Sequence, residues 1–146
     1  MRVNGSCHCG FIKFEAEADP AKASICHCTD CQASTGATFR TNVPVPAKDF
    51  KMLSGEPTIY VKTAESGNKR AQAFCPKCGS PIYSTQPGDG PKESYMVRIG
   101  ILQQRDQFVP KVQNWTRSAQ TWLSDIGSVP KNEKGAPPPR GRLPRP

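Results

Sequence analysis

The amino-acid sequence predicts a mainly β fold of short antiparallel strands with one or two helical turns. The 146-residue chain contains 15 prolines and 12 glycines, which favour turns over long helices. Only 36% of its residues are hydrophobic, so a loop-rich fold of this kind would gain much from metal cross-links. Seven cysteines in three clusters could provide those cross-links. The length of the chain is that of a single domain.

Four strands are predicted in the first half of the chain, at 10–18, 38–45, 50–53 and 57–62. In the first of them Ile12, Phe14 and Ala16 alternate with Lys13 and Glu15, the pattern of a half-buried strand. Prolines near the end of the second strand predict that it finishes at a sheet edge. Residues 24–36 are predicted to form a cysteine-rich loop with one helical turn.

Three further strands are predicted at 71–74, 81–84 and 95–101. The first two lead into and out of the Cys75–Cys78 segment, and the last alternates apolar and other side chains. Residues 113–123 contain both tryptophans, Trp115 and Trp122, which we expect to be core or packing residues rather than walls of a ligand site.

The chain is expected to divide at residue 130. Residues 1–129 are predicted to form one zinc-binding domain, and 130–146, with six prolines, a disordered or extended tail. The tail carries +4 of the +8 net charge. The remaining +4 falls to about +1 when seven thiolates bind two Zn²⁺, which argues against a nucleic-acid partner.

The cysteines form three clusters, Cys7-x-Cys9, Cys26-His27-Cys28-x-x-Cys31 and Cys75-x-x-Cys78. An odd number of cysteines fits a disulfide framework poorly, and residues 1–10 lack the apolar segment of a signal peptide. No apolar run approaches the roughly 18 residues of a membrane helix. We therefore expect a cytoplasmic protein without membrane contact, whose clustered cysteines bind metal.

Two of the clusters are predicted to form one closed structural zinc site of Cys7, Cys9, Cys75 and Cys78. A Cys-x-x-Cys turn directs both sulfurs to one point, and Gly79 can adopt the positive φ that such a turn needs. In an extended segment Cys7 and Cys9 would face the same side. A redox dithiol at Cys75 and Cys78 is the alternative, but no βαβ pattern surrounds it.

The middle cluster is predicted to hold a second zinc through Cys26, Cys28 and Cys31. Three protein ligands with a fourth, exchangeable position are typical of catalytic zinc. Alternatively, His27 or His8 completes a structural site, or the metal is weakly held. If Cys26 and Cys28 face the metal from an extended segment, His27 faces away. Three thiolates give the site a charge of −1, which favours a thiol as the fourth ligand.

These clusters resemble the glutathione-dependent formaldehyde-activating family, also called the centromere-protein-V domain family. The matching stretches are 5–10, 25–32 and 73–80, and 110–122 resembles the family's C-terminal tryptophan segment. The resemblance covers about residues 3–125. It implies an Mss4-like fold of β-sheets joined by a zinc site, with Cys7, Cys9, Cys75 and Cys78 on the structural zinc and Cys26, Cys28 and Cys31 on the catalytic one.

The resemblance also implies an activity, a lyase-type joining of formaldehyde to the thiol of glutathione that forms a carbon–sulfur bond. His27 and Asp30 are candidates to supply the proton that this reaction needs. His27 could equally be a loop hydrogen bonder and Asp30 a helix cap. Arg40, Arg98 or Lys77 could bind a carboxylate of the thiol substrate.

Two other functions stay open at this point, and the sequence sets no oligomeric state. One is a non-catalytic zinc-binding module for a protein or nucleic-acid partner, because fold alone does not determine function. The other is redox sensing through Cys26, Cys28 and Cys31, which would release zinc on reversible oxidation.

Overall fold

The computed structural model describes residues 1–136 and contains ten strands and one α-helix in this range. The strands are β1 (Arg2–Ser6), β2 (Lys13–Glu17), β3 (Ser24–Cys26), β4 (Arg40–Pro46), β5 (Phe50–Ser54), β6 (Thr58–Thr63), β7 (Lys69–Phe74), β8 (Pro81–Thr85), β9 (Ser94–Arg98) and β10 (Val112–Asn114), and the helix is α1 (Thr29–Thr35). Several 3-10 turns lie between or after these elements, the longest at Thr121–Ser128. The predicted mainly β class is confirmed. No helix among residues 1–136 is long and apolar enough to cross a membrane.

The strands form two sheets. The smaller has the order β1-β2-β5, and the larger has the order β10-β3-β4-β9-β8-β7-β6. All pairs are antiparallel except β10 with β3. The core contains buried residues of both sheets, such as Val3 and Phe14 from the smaller and Val43 and Val97 from the larger. Each such fully buried apolar side chain contributes about 1.5–3 kcal/mol to stability.

Alternation along the larger sheet separates an apolar side from a polar side. Val43 pairs with Val97, which pairs with Tyr83, so this row shares one face of β4, β9 and β8. The residues between them, such as Asn42 and Arg98, face the other way and also pair across the ladder. One face of the sheet therefore builds the core, and the opposite face carries polar side chains.

The region 24–36 contains more regular structure than the predicted loop. Ser24–Cys26 forms β3, and α1 runs for seven residues rather than one turn. The sulfur of Cys28 takes the place of the usual Ser or Asp at the helix N-cap, accepting a hydrogen bond from the Cys31 N–H. Gly36 ends the helix in the left-handed conformation.

One other predicted strand differs in extent from the structure. The strand predicted at 95–101 ends at Arg98, because 99–101 curl into a 3-10 turn. The adjacent strands β5 and β6 belong to different sheets. Strands β1 and β10 were not predicted from the sequence.

The tail predicted at 130–146 lies mainly outside the described residues, which end at 136. Residues 130–136 contain no helix or strand. The division at residue 130 therefore stays a prediction.

Candidate metal centres

The first and last cysteine clusters meet in one four-sulfur group. The sulfurs of Cys7, Cys9, Cys75 and Cys78 all lie within 4.8 Å of one another. The Sγ–Sγ distance is 3.6 Å between Cys7 and Cys9 and 3.8 Å between Cys9 and Cys75. Tetrahedral zinc with thiolates at about 2.3 Å requires sulfurs about 3.8 Å apart. The sulfur separations of this group are therefore compatible with zinc.

Matching turns place the two cysteine pairs. The N–H of Cys7 donates to the Ile12 carbonyl at 3.0 Å, and the N–H of Cys75 donates to the Ser80 carbonyl at 2.9 Å. Gly10 and Gly79 close the turns with φ of 78° and 73°. The expectation for Gly79 is confirmed, whereas the segment from Cys7 to Cys9 is a turn rather than extended.

Backbone groups also stabilise the first turn electrostatically. The N–H of Ile12 donates to the Cys7 sulfur at 3.2 Å. Such N–H donors orient a thiolate and offset part of its negative charge. Cys7 and Cys75 are buried while Cys9 and Cys78 are exposed, so the group lies at the surface of the fold.

The middle cluster forms a separate three-sulfur group. The sulfurs of Cys26, Cys28 and Cys31 lie within 4.8 Å of one another. They come from the end of β3, the extended N-cap and the first turn of α1. A hydrogen bond with Cys31 lowers the pKa of Cys26 to about 5, and the charge of Arg40 acts in the same direction. The same hydrogen bond raises the pKa of Cys31.

His27 makes its contacts away from the three sulfurs. It is 2% exposed, its Nε2 lies 2.7 Å from Oε1 of Gln113, and its ring packs edge-on against Phe39. Asp30, in the first turn of α1, forms a 2.7 Å ion pair with Lys62. The contacts of His27 match the hydrogen-bonding alternative, and Asp30 is not the helix cap, because the N-cap residue of α1 is Cys28.

A cavity of about 290 Å³ opens beside the three sulfurs. Its floor is the polar face of the larger sheet, because strand register places the lining residues side by side. Cys26 pairs with Arg40, Asn42 with Arg98, and Gln72 with Ser84. The remaining lining residues include Ser24, Lys62, Arg70, Met96, Asn114 and Trp115.

Two arginines of this cavity are buried, Arg40 at 6% and Arg98 at 5% exposure. Arg98 donates to Oδ1 of Asn42 at 2.5 Å and to Oε1 of Gln72 at 2.7 Å. Arg40 donates to the same Gln72 oxygen at 3.1 Å. Burial, aided by the charge of Arg40, lowers the pKa of Arg98 to about 9, so the guanidinium is still protonated at neutral pH. Lys77, the third carboxylate candidate, lies over the Phe11 ring instead.

The tryptophan prediction was wrong. Trp115 is 41% and Trp122 48% exposed, so neither is a core residue. Trp115 has φ 58°, an unusual value for a non-glycine residue, and lines the three-cysteine cavity. Gln32 fixes this segment, donating from Nε2 to the carbonyls of His27 and Ser118 at 2.8 and 2.9 Å.

Several cavity residues were not identified from the sequence, namely Asn42, Lys62, Arg70, Gln72 and Ser84. A signal was present in alternating polar residues, such as Arg70 and Gln72, which alternate with Ala71 and Ala73 on β7. It became informative only when the order and register of the strands were known, because these residues come from four different strands.

A comparison with protein families matches residues 2–118 to the glutathione-dependent formaldehyde-activating enzyme profile. A solved structure of a Rhodobacter sphaeroides protein is similar, with 22% sequence identity and a TM-score of 0.57. The match covers 78% of this chain and 100% of that one, and shows a shared fold. No curated protein matched the sequence.

Proposed function

Because the chain belongs to the glutathione-dependent formaldehyde-activating family, we propose that it is a zinc enzyme of carbon–sulfur lyase type. Its substrates would be a small thiol, such as glutathione, and formaldehyde or a related small carbonyl. The observation that carries the proposal is the group of three sulfurs, without a fourth protein ligand among residues 1–136, beside a cavity of about 290 Å³. A site with three protein ligands is typical of catalytic zinc.

The two sulfur groups would have different roles. Cys7, Cys9, Cys75 and Cys78 would hold a structural zinc that joins the end of β1 to the end of β7. Cys26, Cys28 and Cys31 would hold the catalytic zinc. Zinc at this three-cysteine site would lower the pKa of a substrate thiol and keep it ionised at neutral pH.

Besides the thiolate, the reaction needs a proton for the carbonyl oxygen. The sulfur of the thiolate attacks the carbonyl carbon, a C–S bond forms, and the electron pair of the C=O bond moves to oxygen. That oxygen then takes a proton. Lys62 lines the cavity and its Nζ hydrogen-bonds to Asp30, so this pair could deliver the proton. His27 lies between Cys26 and Cys28, and its hydrogen bond with Gln113 would hold this segment in place.

Two serine variants test the proposal. We expect Cys28→Ser to stay folded, retain one zinc and lose its acceleration of thiol addition to formaldehyde over the uncatalysed reaction. We expect Cys78→Ser to lose the fold, because a structural zinc contributes directly to folding free energy. Zinc content, circular dichroism and NMR exchange rates of the adduct are the measurements. Full activity in Cys28→Ser would contradict the mechanism.

A non-catalytic zinc-binding module is the second candidate, supported by one observation. Edge strand β6 exposes Ile59, Tyr60 and Val61, between 46% and 61% of each residue. Exposed apolar residues on an edge strand are a common docking surface for another chain. Two zincs that excess thiol cannot displace or reach, with no catalysis, would favour this function.

A further inference from the structure

A second cavity, of about 390 Å³, adjoins the three-cysteine cavity, and we call it the side cavity. The two cavities share three lining residues, Cys28, Lys62 and Trp115. The other walls of the side cavity come from the first turn of α1, from the turn that follows β6 and from Ser118. The two cavities therefore meet at one cysteine of the three-sulfur group.

The charged groups of the side cavity, apart from Cys28, are paired. Lys62 forms a 2.7 Å ion pair with Asp30, and both residues line the cavity. Glu65, the remaining charged lining residue, forms an ion pair with Arg117. The three arginines of the three-cysteine cavity, by contrast, take part in no ion pair within residues 1–136. The side cavity is therefore electrically balanced, which suits a neutral ligand better than an ion.

Lys62 can bind the oxygen atom of such a ligand. Its ammonium group has three N–H donors, and the hydrogen bond to Asp30 uses one of them. The Lys62 side chain is only 17% exposed, and a hydrogen bond made there is stronger than one in open water. A carbonyl oxygen that accepts this hydrogen bond draws electrons from its carbon, which then reacts more readily with a sulfur nucleophile. The side cavity therefore fits a neutral carbonyl compound.

Trp115 is the wall that the two cavities share, and its backbone is strained. No other non-glycine residue in the described range has a positive φ. Such a conformation persists only where the surrounding structure enforces it. On one side the N–H of His27 donates to the carbonyl of Asn114 at 3.0 Å. On the other side Gln32 donates to the carbonyl of Ser118 at 2.9 Å, so the fold keeps the indole at this position against a local cost.

We propose that the side cavity binds the carbonyl substrate, a small neutral aldehyde or ketone whose oxygen accepts a hydrogen bond from Lys62. The inference rests on the proposed function for the thiol, which would lie in the three-cysteine cavity. The addition described above would then take place where the two cavities meet, beside Cys28 and under the indole of Trp115. A volume of about 390 Å³ has room for carbonyl compounds larger than formaldehyde.

The first test locates a neutral carbonyl compound without any thiol. Acetone is the probe, because it reacts poorly with thiols, and ¹H–¹⁵N NMR on the zinc-loaded full chain reports where it binds. We expect saturable amide shifts at Thr29, Ala64 and Ser118, which line only the side cavity. Asn42 and Ser84, which line only the three-cysteine cavity, should shift less. Shifts centred on Asn42 and Ser84, or no saturable shift at either cavity, would overturn the proposal.

The second test fills the side cavity. Ala64→Trp should abolish the acetone shifts and raise KM for formaldehyde by about 10-fold or more, the size of effect that a change of pocket shape produces. Zinc content and the Kd for glutathione, measured by calorimetry, should not change. Ser66→Trp is the matched control, because Ser66 is exposed in the same turn and lies outside both cavities. An unchanged KM for formaldehyde in Ala64→Trp would contradict the assignment.

Binding and turnover separate this proposal from the proposed function. Acetone shifts at the side cavity without thiol-dependent formaldehyde turnover would support the carbonyl site and reject the lyase activity. Turnover without acetone shifts at the side cavity would do the reverse.

Discussion

Gly5 shows how closely a single residue is constrained in this core. It lies on β1 opposite Phe14 on β2, and a Cβ added at Gly5 would lie 2.0 Å from the Phe14 ring. Phe14 is fully buried between the sheets and stacks on Phe50 at 5.1 Å. The ring therefore occupies the space that a side chain at Gly5 would need.

We expect Gly5→Ala to lower the free energy of unfolding by about 1–3 kcal/mol, the usual range for an overpacked core. Urea denaturation measures the change. Gly100→Ala is the control, since a Cβ there meets nothing within 4 Å. Equal effects of the two substitutions would contradict the packing argument.

Residue by residue, the sequence is informative about metal ligands and much less about the groups around them. The spacing within Cys75-x-x-Cys78 is local, so the chain itself shows that both sulfurs can reach one point. The contact of Arg98 with Gln72 joins residues on β9 and β7 that are separated by β8. Such partners depend on strand order, which no local pattern specifies.

At the scale of elements, strands and loops were predictable where their signals were local. Strands β7 and β8 flank a cysteine pair and lie close to their predicted ranges. The prolines near the end of β4 indicated where this strand loses a neighbour. Strand β3 pairs only with residues 40–42, so at Pro44 the one neighbouring strand is β9. Helix α1 was underestimated because its N-cap is a cysteine, a residue that does not normally mark a helix start.

The connection between α1 and the C-terminal segment depends on Gln32. Its amide donates to the carbonyls of His27 and Ser118, and its oxygen accepts from Gln120 at 2.9 Å. These bonds hold the segment that contains Trp115 against the three-cysteine cavity.

Gln32→Ala should make residues 115–120 more mobile. It should lower the free energy of unfolding by up to about 1 kcal/mol for each lost hydrogen bond. We expect faster amide hydrogen exchange in this segment and little change in the core strands, because the lost contacts are local. Ser34→Ala on the exposed side of the same helix is the matched control. Unchanged exchange at 115–120 would show that other contacts hold the segment.

For the molecule as a whole, the four-sulfur group connects parts that are distant in the chain. Cys7 follows the last residue of β1 in the smaller sheet, and Cys75 follows β7 in the larger. A metal at this point would therefore tie the two sheets together beyond their shared apolar core.

We expect stepwise metal loss when the protein is titrated with a chelator. A zinc held by Cys26, Cys28 and Cys31 should leave first with little change in circular dichroism, because it would have only three protein ligands. Removal of the second zinc should unfold the chain, since structural zinc contributes about 10–16 kcal/mol in small zinc domains. Metal release read by a colorimetric dye, together with circular dichroism, measures both steps. A chain that stays folded without either metal would contradict this prediction.

The pairing of Cys26 with Arg40 and of Asn42 with Arg98 has a consequence for how this gene can change. Deleting one codon within β4 would turn the following side chains of that strand to the opposite face, sending apolar valines into the cavity and polar groups into the interior. The same deletion at 36–39, before the strand begins, would shorten a loop and preserve the frame of the ladder. In this protein, changes in length inside the strands are therefore more damaging than most exchanges of one amino acid for another.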